Sequence, residues 1–330
     1  DGLMFPFLEG LVLSGYQFSK YKKEKEDYQP KEIFVCDEDM TDSLIQELLH
    51  VVRAVFYARD LVNEPLSYLT AASFSKEIER LGQEAGFTTE IFTKGKIESL
   101  KMGGLLAVNK GSIDPPTFNI LEWKPRAPKN KKPVVLVGKG IVYDTGGLSL
   151  KPTPKSMDYM KSDMAGAAVV AAVIYAAAVN QLPVHVVGLI PATDNRPDGN
   201  AYVPGDIITM HDGTTVEIKN TDAEGRLILA DALSYARRYS PGLVIDIATL
   251  TGSAEIITGP YGLAAMGNSS TSLQQLRNIG EQLFERIVEV PLWEEFAESL
   301  KSTVADLNNL GTREGQTSVA GKFLEHFTDY

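Results

Sequence analysis

The stretch that decides the fold is Pro133-Val-Val-Leu-Val-Gly-Lys-Gly-Ile-Val-Tyr-Asp-Thr-Gly-Gly-Leu-Ser-Leu-Lys151, where a β-branched run passes into a glycine-rich loop. The run over 133–137 has the composition of a buried strand. An alanine-rich segment over 165–179 and a second apolar run over 183–190 follow it. Strands that alternate with helical segments in this way favour a parallel or mixed sheet with helices on its faces.

The same alternation continues in both directions from this stretch. Apolar residues recur at helical spacing after Thr41, a suitable N-cap, until Pro65, and Thr70 caps a second helical segment that runs to about residue 85. Further strands are predicted at 87–92, 118–123, 215–218 and 243–248, and a further helix at 226–238. We therefore predict an α/β fold, a three-layer sandwich whose central, mostly parallel or mixed sheet has helices on both faces.

Charged residues cluster at predicted strand ends or in the loops that follow them. The three clusters carry Lys139, Asp144 and Lys151 in 137–151, Asp163 in 157–163, and Asp222, Glu224 and Arg226 in 220–227. In sheets of this kind ligands bind beyond the carboxyl ends of the strands. Asp222 and Glu224 are two positions apart, so in an extended segment both side chains would point to one side and could hold a common ion.

Each of these residues also has an ordinary structural interpretation. An aspartate before a helix, such as Asp163 or Asp222, is most often an N-cap. A lone lysine on a strand is usually solvated, and Met160 would most often be a core residue. Burying Lys139 and Asp144 at an apolar strand end is costly, however, unless the charges are paired or bound to metal. The convergence of three clusters therefore favours a binding site.

Other catalytic signatures are absent from the sequence. There is no G-x-S-x-G nucleophile motif, no H-E-x-x-H zinc helix and no G-x-x-x-x-G-K-[ST] phosphate loop. The four histidines lie in different predicted elements, and none pairs with another at metal-binding spacing: His50, His185, His211 and His326. A metal site in this chain must therefore use carboxylates.

Composition restricts the partners. The 330 residues carry 32 lysines and arginines against 43 aspartates and glutamates, and the net charge of −11 would repel a phosphate backbone. We therefore expect no obligate nucleic-acid partner.

Cys36 is the only cysteine, which excludes an intrachain disulfide and fits a reducing cytosol. We find no apolar run of the ~18 residues that would span a bilayer, and we expect a cytoplasmic protein with no membrane partner.

One octapeptide carries a family resemblance. Asn220-Thr-Asp-Ala-Glu-Gly-Arg-Leu227 resembles the signature of the leucyl aminopeptidase (cytosol aminopeptidase) family of dinuclear-metal peptidases. The resemblance also covers Gly138 to Gly147 with Lys151-Pro152, Met157-Asp158, Ser162-Asp-Met-Ala-Gly166 and Ala248-Thr-Leu-Thr-Gly252, and it extends over roughly residues 36–330.

The resemblance implies a metal-dependent aminopeptidase that releases N-terminal residues, with leucine and other apolar residues favoured, from peptide substrates. It implies two divalent metal ions, zinc or manganese with magnesium or cobalt as further options, and these metal ligands: Lys139, Asp144, Asp163, Asp222 and Glu224. It implies that Lys151 stabilises the oxyanion and that Arg226 holds a bicarbonate acting as general base. Family positions that line the substrate pocket match Met160, Thr249, Leu250 and Gly252. The family assembles as a homo-hexamer, which is expected here of the full-length protein.

The resemblance also implies a division of the chain. We expect residues 36–330 to be the catalytic metallopeptidase domain, short at its C-terminus, and residues 1–35 to be a remnant or linker from a mostly absent N-terminal α/β domain.

Two other functions stay open. One is a different carboxylate-metal hydrolase, against which Lys139 argues because magnesium prefers oxygen ligands. The other is a non-catalytic scaffold or DNA-binding member of the same family, against which the intact ligand set and the negative charge argue.

Overall fold

The computed structural model describes residues 3–24, 32–37 and 39–330. Its α-helices are α1 (Met4–Ser14), α2 (Asp42–Asn63), α3 (Ala71–Ala85), α4 (Lys94–Ser99), α5 (Gly103–Asn109), α6 (Ala165–Val179), α7 (Glu224–Ala236), α8 (Gly252–Thr258), α9 (Ser270–Gln282) and α10 (Gln316–Glu325). Its strands are β1 (Thr88–Phe92), β2 (Thr117–Trp123), β3 (Val134–Gly138), β4 (Gly140–Asp144), β5 (Val186–Asn195), β6 (Ile207–Thr209), β7 (Thr215–Glu217), β8 (Leu243–Ile247), β9 (Leu263–Ala265), β10 (Ile287–Glu289) and β11 (Leu307–Asn308).

The central sheet is mixed, as predicted. Its strand order is β1-β2-β5-β3-β8, and β4 also pairs with β5. The pairs β3–β5, β4–β5 and β3–β8 are parallel, whereas β1–β2 and β2–β5 are antiparallel. Two small sheets, β9 with β10 and β6 with β7 and β11, lie outside it.

Helices cover both faces of the central sheet. Val135 and Val137 of β3 pack into a core shared with α4, α5, α7 and α10, while Leu136 packs into a second core shared with α2, α3 and α6. Successive residues of a strand point to opposite faces, so each face of the sheet has a hydrophobic core of its own. The predicted three-layer α/β sandwich is confirmed.

Strands β3 and β4 follow one another along β5, and only Lys139 separates them. Val134 pairs with Val186 and Gly140 with Ala192, in a constant register that passes Lys139, and the register then shifts between Ile141 and Asp144. The residues after 137 were predicted to form a loop, but 138 still belongs to β3, 140–144 are a strand, and the glycine-rich turn begins only at residue 145. The prediction is wrong because Lys139 lies between two glycines, which are uncommon in strands, so the sequence gives no local sign of the second strand.

The first two long helices begin where predicted. The side chain of Thr41 accepts a hydrogen bond from the Leu44 backbone N–H at 3.3 Å, and that of Thr70 accepts one from the Ser73 N–H at 3.3 Å. A capping hydroxyl at each start satisfies a backbone donor that the helix leaves unpaired. The long amphipathic helix predicted between Thr41 and Pro65 is α2.

The described part of the N-terminal segment packs onto α2. Leu8 of α1 is buried against Leu48 and Val52 of α2, and the guanidinium of Arg59 donates to the Leu13 carbonyl oxygen at 2.9 Å. Within the segment 1–35, residues 1–2 and 25–31 lie outside the described residues. The assignment of 1–35 as a domain remnant stays a prediction.

One helical stretch, 157–179, is long and apolar enough to cross a membrane, with a mean hydropathy of 1.8 in its most apolar 18-residue window. The prediction concerned an uninterrupted apolar run, and the run within this stretch, 164–179, lies between Asp163 and Asn180 and is shorter than the ~18 residues that span a bilayer. In the fold, 67% of that window is buried, and α6 within it lies against β3 and β5. The prediction that residues 165–179 form a buried core helix is confirmed.

Candidate metal centre

The structure brings the three charged clusters together at one end of the parallel strands. The Lys139 ammonium lies 2.7 Å from Asp163 Oδ1 and 2.9 Å from Glu224 Oε1. Single carboxylate oxygens of Asp144, Asp222 and Glu224 all lie within 4.8 Å of one another. All five residues expected as metal ligands therefore meet in one place.

Each expected ligand lies where a strand ends or where a helix begins. Lys139 is the single residue between β3 and β4, and Asp144 ends β4. Asp163 lies between a 3-10 turn (Met157–Ser162) and α6. The N-cap residues of α6 and α7 are Met164 and Ala223, and neither helix has a side-chain cap. The N-cap interpretation of Asp163 and Asp222 is therefore wrong, and their carboxylates face the cluster instead.

The segment around Asp222 and Glu224 is not extended, which corrects the geometry predicted for this pair. Residues 221 and 222 form a turn and Glu224 opens α7, so the bend of the chain, not a two-residue period, brings the two carboxylates together. Gly225 leaves room for a neighbour here, because a Cβ at this position would lie 2.5 Å from Lys139 Cε. The signature glycine thus lets the lysine pass under the first turn of α7.

Like charges and burial dominate the electrostatics. Burial raises the pKa of Asp163, Asp222 and Glu224, and neighbouring carboxylates raise it further. Burial alone would lower the pKa of Lys139, but Asp163, Glu224 and Asp144 outweigh it and raise the pKa. Four carboxylates share two ammonium groups, those of Lys139 and Lys151, so the cluster carries a formal excess of negative charge that divalent cations would offset.

The donor set fits divalent metal ions. Asp163 Oδ2 and Glu224 Oε2 are buried and accept no hydrogen bond from any described residue. Buried carboxylate oxygens without a donor are costly unless a cation binds them. Oxygen ligands suit magnesium, manganese and zinc, and a lysine nitrogen can join them only after it loses its proton.

The two residues assigned catalytic roles flank this cluster. Lys151 Nζ lies 2.9 Å from Asp144 Oδ2 and 2.5 Å from Asp222 Oδ1. Arg226, in the first turn of α7, is 3% exposed, and burial lowers its pKa to about 10. Its Nη1 donates only a long bond of 3.4 Å to the Leu310 carbonyl oxygen, and its Nε has no hydrogen-bond partner in the described chain. A buried guanidinium at a helix N-terminus is suited to an anion.

The four predicted pocket residues lie in two segments, the 3-10 turn before Asp163 and the chain between the end of β8 and the start of α8. Met160 is half-buried in the 3-10 turn, Leu250 packs on the core, and Gly252 begins α8 with open space around its Cα. Thr249 has direct contacts with the cluster, since its hydroxyl donates to Asp163 Oδ1 at 2.8 Å and its carbonyl oxygen accepts from Lys139 Nζ at 3.0 Å. Their role in substrate binding stays a prediction.

Sequence reasoning missed Asn195, whose amide donates to Asp144 Oδ1 at 2.8 Å. The strand predicted over 183–190 spans Val186–Asn195 in the structure, and this extension carries Asn195 to the site. Pro191 concealed the extension, because proline usually marks the end of a central strand.

The chain is similar to known proteins in both sequence and structure. A family model described as the cytosol aminopeptidase family, catalytic domain, matches residues 56–330. A probable cytosol aminopeptidase of Chlorobaculum tepidum is 52% identical over 82% of this chain and 54% of its own length. One of Chlorobium phaeobacteroides is 44% identical over 98% of this chain and 66% of its own length. This chain therefore spans between about half and two thirds of the length of these relatives.

A solved structure, the bottromycin maturation enzyme BotP in complex with Mn, aligns with a TM-score of 0.89 at 37% identity. The alignment covers 97% of this chain and 68% of that one.

Proposed function

Because the chain belongs to the cytosol aminopeptidase family, we propose that it is the catalytic part of a metal-dependent aminopeptidase that removes N-terminal residues from peptides, with leucine and other apolar residues favoured. The observation that carries the proposal is that Lys139 and four carboxylates lie together in one cluster. Two of the carboxylate oxygens are buried and accept no hydrogen bond from any described residue.

We assign the ligands as the family pattern implies. Asp144 and Glu224 would bridge two divalent ions, Asp222 would complete one site, and Lys139 with Asp163 would complete the other. Zinc and manganese are the metals proposed, and the related structure was solved with Mn. When bound, two such ions polarise a carbonyl group and lower the pKa of a water molecule. Lys139 must release its proton to bind as an amine, so binding strengthens as the pH rises.

Lys151 is proposed to stabilise the charge that develops on the substrate carbonyl oxygen. In the metal-free structure, Asp144 and Asp222 outweigh the opposing effect of burial and raise the pKa of Lys151. A positioned cation of this kind stabilises the transition state more than the ground state.

Arg226 is proposed to hold a bicarbonate that acts as general base. Each of the four histidines is hydrogen-bonded to a residue outside the cluster: His50 to Asn180, His185 to Glu122, His211 to Leu100 and His326 to Thr214. An anion at the buried guanidinium would supply a proton acceptor that the side chains at the cluster do not offer.

Location, assembly and domain division belong to the same proposal. The relatives are called cytosol aminopeptidases, and we propose a cytoplasmic enzyme with peptide substrates and a homo-hexameric full-length form. Residues 1–35 would be the end of a further N-terminal domain.

The decisive experiment compares leucine p-nitroanilide with its N-acetylated form in the presence of manganese or zinc. We expect the free amine to be cleaved faster by on the order of 10³-fold or more, because a site built to bind an amine rejects the analogue that lacks it. Equal rates would eliminate the aminopeptidase. Salt-dependent binding to duplex DNA without turnover would support the non-catalytic alternative.

A further inference from the structure

A fully buried amide lies directly behind the metal cluster. Asn195 is the last residue of β5 and is 0% exposed. We propose that Asn195 is a positioning residue that fixes the Asp144 carboxylate for metal binding and ties it to the loop that carries Asp222. This inference rests on the proposed metal-dependent function, and it concerns a residue outside the expected ligand set.

The orientation of the amide is determined by its neighbours. Asn195 Nδ2 donates to Asp144 Oδ1 at 2.8 Å and to the Thr221 carbonyl oxygen at 3.0 Å. Both partners are acceptors, so the NH₂ group must face them, since the reversed amide would place its oxygen against a carboxylate.

The Asp144 carboxylate is held at both oxygens. Oδ1 accepts from Asn195 and from the Gly146 backbone N–H, each at 2.8 Å, while Oδ2 lies 2.9 Å from Lys151 Nζ. A side-chain N–H from a rigid strand therefore restricts rotation of the group that would bridge two ions. Hydrogen bonds to a carboxylate are about twice as strong as those between neutral groups.

The same side chain links the two loops that carry Asp144 and Asp222. The Thr221 carbonyl oxygen, one residue before Asp222, accepts from Asn195 and from the Tyr202 hydroxyl at 2.7 Å. The backbone carbonyl oxygen of Asn195 accepts two further hydrogen bonds from Thr145, one from its backbone N–H at 3.0 Å and one from its hydroxyl at 2.8 Å. Asn195 thus contacts both loops at the point where each enters the cluster.

Asn119 provides a matched control in the same sheet. It is also 0% exposed, and its Nδ2 donates to the Ile190 carbonyl oxygen at 3.1 Å and to Thr117 Oγ1 at 3.3 Å. Its hydrogen bonds thus involve neutral acceptors on β2 and β5, away from the ligand residues. Loss of either amide removes two buried hydrogen bonds, but only Asn195 touches a proposed metal ligand.

The test is a titration of chelator-stripped protein with Mn²⁺ by calorimetry, with the unfolding midpoint measured in parallel. Asn195→Ala and Asn119→Ala are expected to lower the midpoint by comparable amounts. Only Asn195→Ala is expected to weaken Mn²⁺ binding, by about 10- to 100-fold, as loss of a group that orients a metal ligand typically does. If Asn195→Ala does not fold, Asn195→Ser replaces it, because its shorter side chain stops short of Asp144.

The possible outcomes separate the two proposals. If the wild-type protein binds Mn²⁺ and the Asn195 variant binds it with the same affinity, the positioning role is overturned and the aminopeptidase proposal is left intact. A wild-type protein that binds no Mn²⁺ overturns both. Equal loss of affinity in the Asn119 variant would show a general effect of sheet stability and would also overturn the positioning role.

Discussion

Asp222 and Lys151 are in contact in the cluster, yet we expect different consequences for metal binding when each is removed. Lys151 Nζ lies 2.5 Å from Asp222 Oδ1, so the aspartate has a cationic partner of its own before any metal binds. The aspartate is proposed to bind metal directly, whereas the lysine is proposed to contact only the substrate oxygen. Substitution at these two neighbouring positions can therefore separate metal binding from turnover.

We predict that Asp222→Ala loses bound metal and activity together. Lys151→Ala should keep its metal while kcat falls by about 10²- to 10³-fold, the usual cost of removing one oxyanion donor. Metal content by mass spectrometry and steady-state kinetics measure the two effects. Glu298→Ala is the control, because this carboxylate pairs with Lys301 on the exposed surface and should change neither quantity. Full turnover in either site variant would contradict the assignment.

At this scale the sequence predicts residue identities better than contacts. The signature octapeptide and the segment of β3 and β4 contain charged residues, and burying a charge is costly unless an opposite charge or a metal ion pairs with it. Lys139, Asp144 and Glu224 could be singled out for this reason. The direction of the Asp222 and Glu224 side chains could not be predicted, because it depends on where α7 begins. Asn195 was missed because nothing in its own segment shows that it contacts Asp144, 51 residues away in the chain.

Among the secondary-structure elements, α6 lies in close contact with the central sheet at its start. A Cβ at Gly166 would lie 1.9 Å from the Ile247 carbonyl oxygen at the end of β8, and one at Gly138 would lie 2.6 Å from the Ala167 Cα. This close approach places Asp163, just before α6, beside Lys139 and Thr249. The helix can therefore position a ligand only because both contact points lack a side chain.

We predict that Gly166→Ala destabilises the fold by about 1–3 kcal/mol, as overpacking does, and lowers activity because α6 must move away from β8. Gly95→Ala is the control, since Gly95 is exposed within α4 with no atom within 4 Å of its added Cβ. The control should be neutral or stabilise by up to about 1 kcal/mol. Urea denaturation and turnover test both variants, and a Gly166→Ala protein with wild-type stability and rate would refute the packing argument.

The starts of α2 and α3 could be predicted because their signals are local. Thr41 and Thr70 each act within one turn of the helix that they cap. Strand limits could not, since β4 and the second half of β5 are defined by pairing with each other and contain Gly140 and Pro191. Pairing that is distant in sequence overrides the local preference of glycine and proline.

At the scale of the whole molecule, the cluster is a concentration of unbalanced charge inside a neutral core. Its four carboxylates and two lysines lie at the ends of β3 and β4, in the turn after β4 and at the starts of α6 and α7. A ligand that binds only the folded chain stabilises it by mass action. Metal binding should therefore affect the stability of the whole domain, and not only the local geometry.

We predict that Mn²⁺ or Zn²⁺ raises the unfolding temperature of chelator-stripped protein, with a stabilisation of about 4 kcal/mol when free metal exceeds Kd by about 1,000-fold. Calorimetric scans with and without metal measure the shift. Glu224→Ala serves as the reference and should show little or no shift. Identical scans for the metal-free and metal-supplemented wild type would count against a metal centre.

The packing of α1 on α2 sets a practical limit on shortened versions of this protein. The family match begins at residue 56, inside α2, whose earlier turns bury Leu48 and Val52 against Leu8. A version trimmed to that boundary would lose α1 and most of the first four turns of its supporting helix, and would leave the rest without a cap. Shortened versions that are intended to fold should therefore keep both α1 and α2.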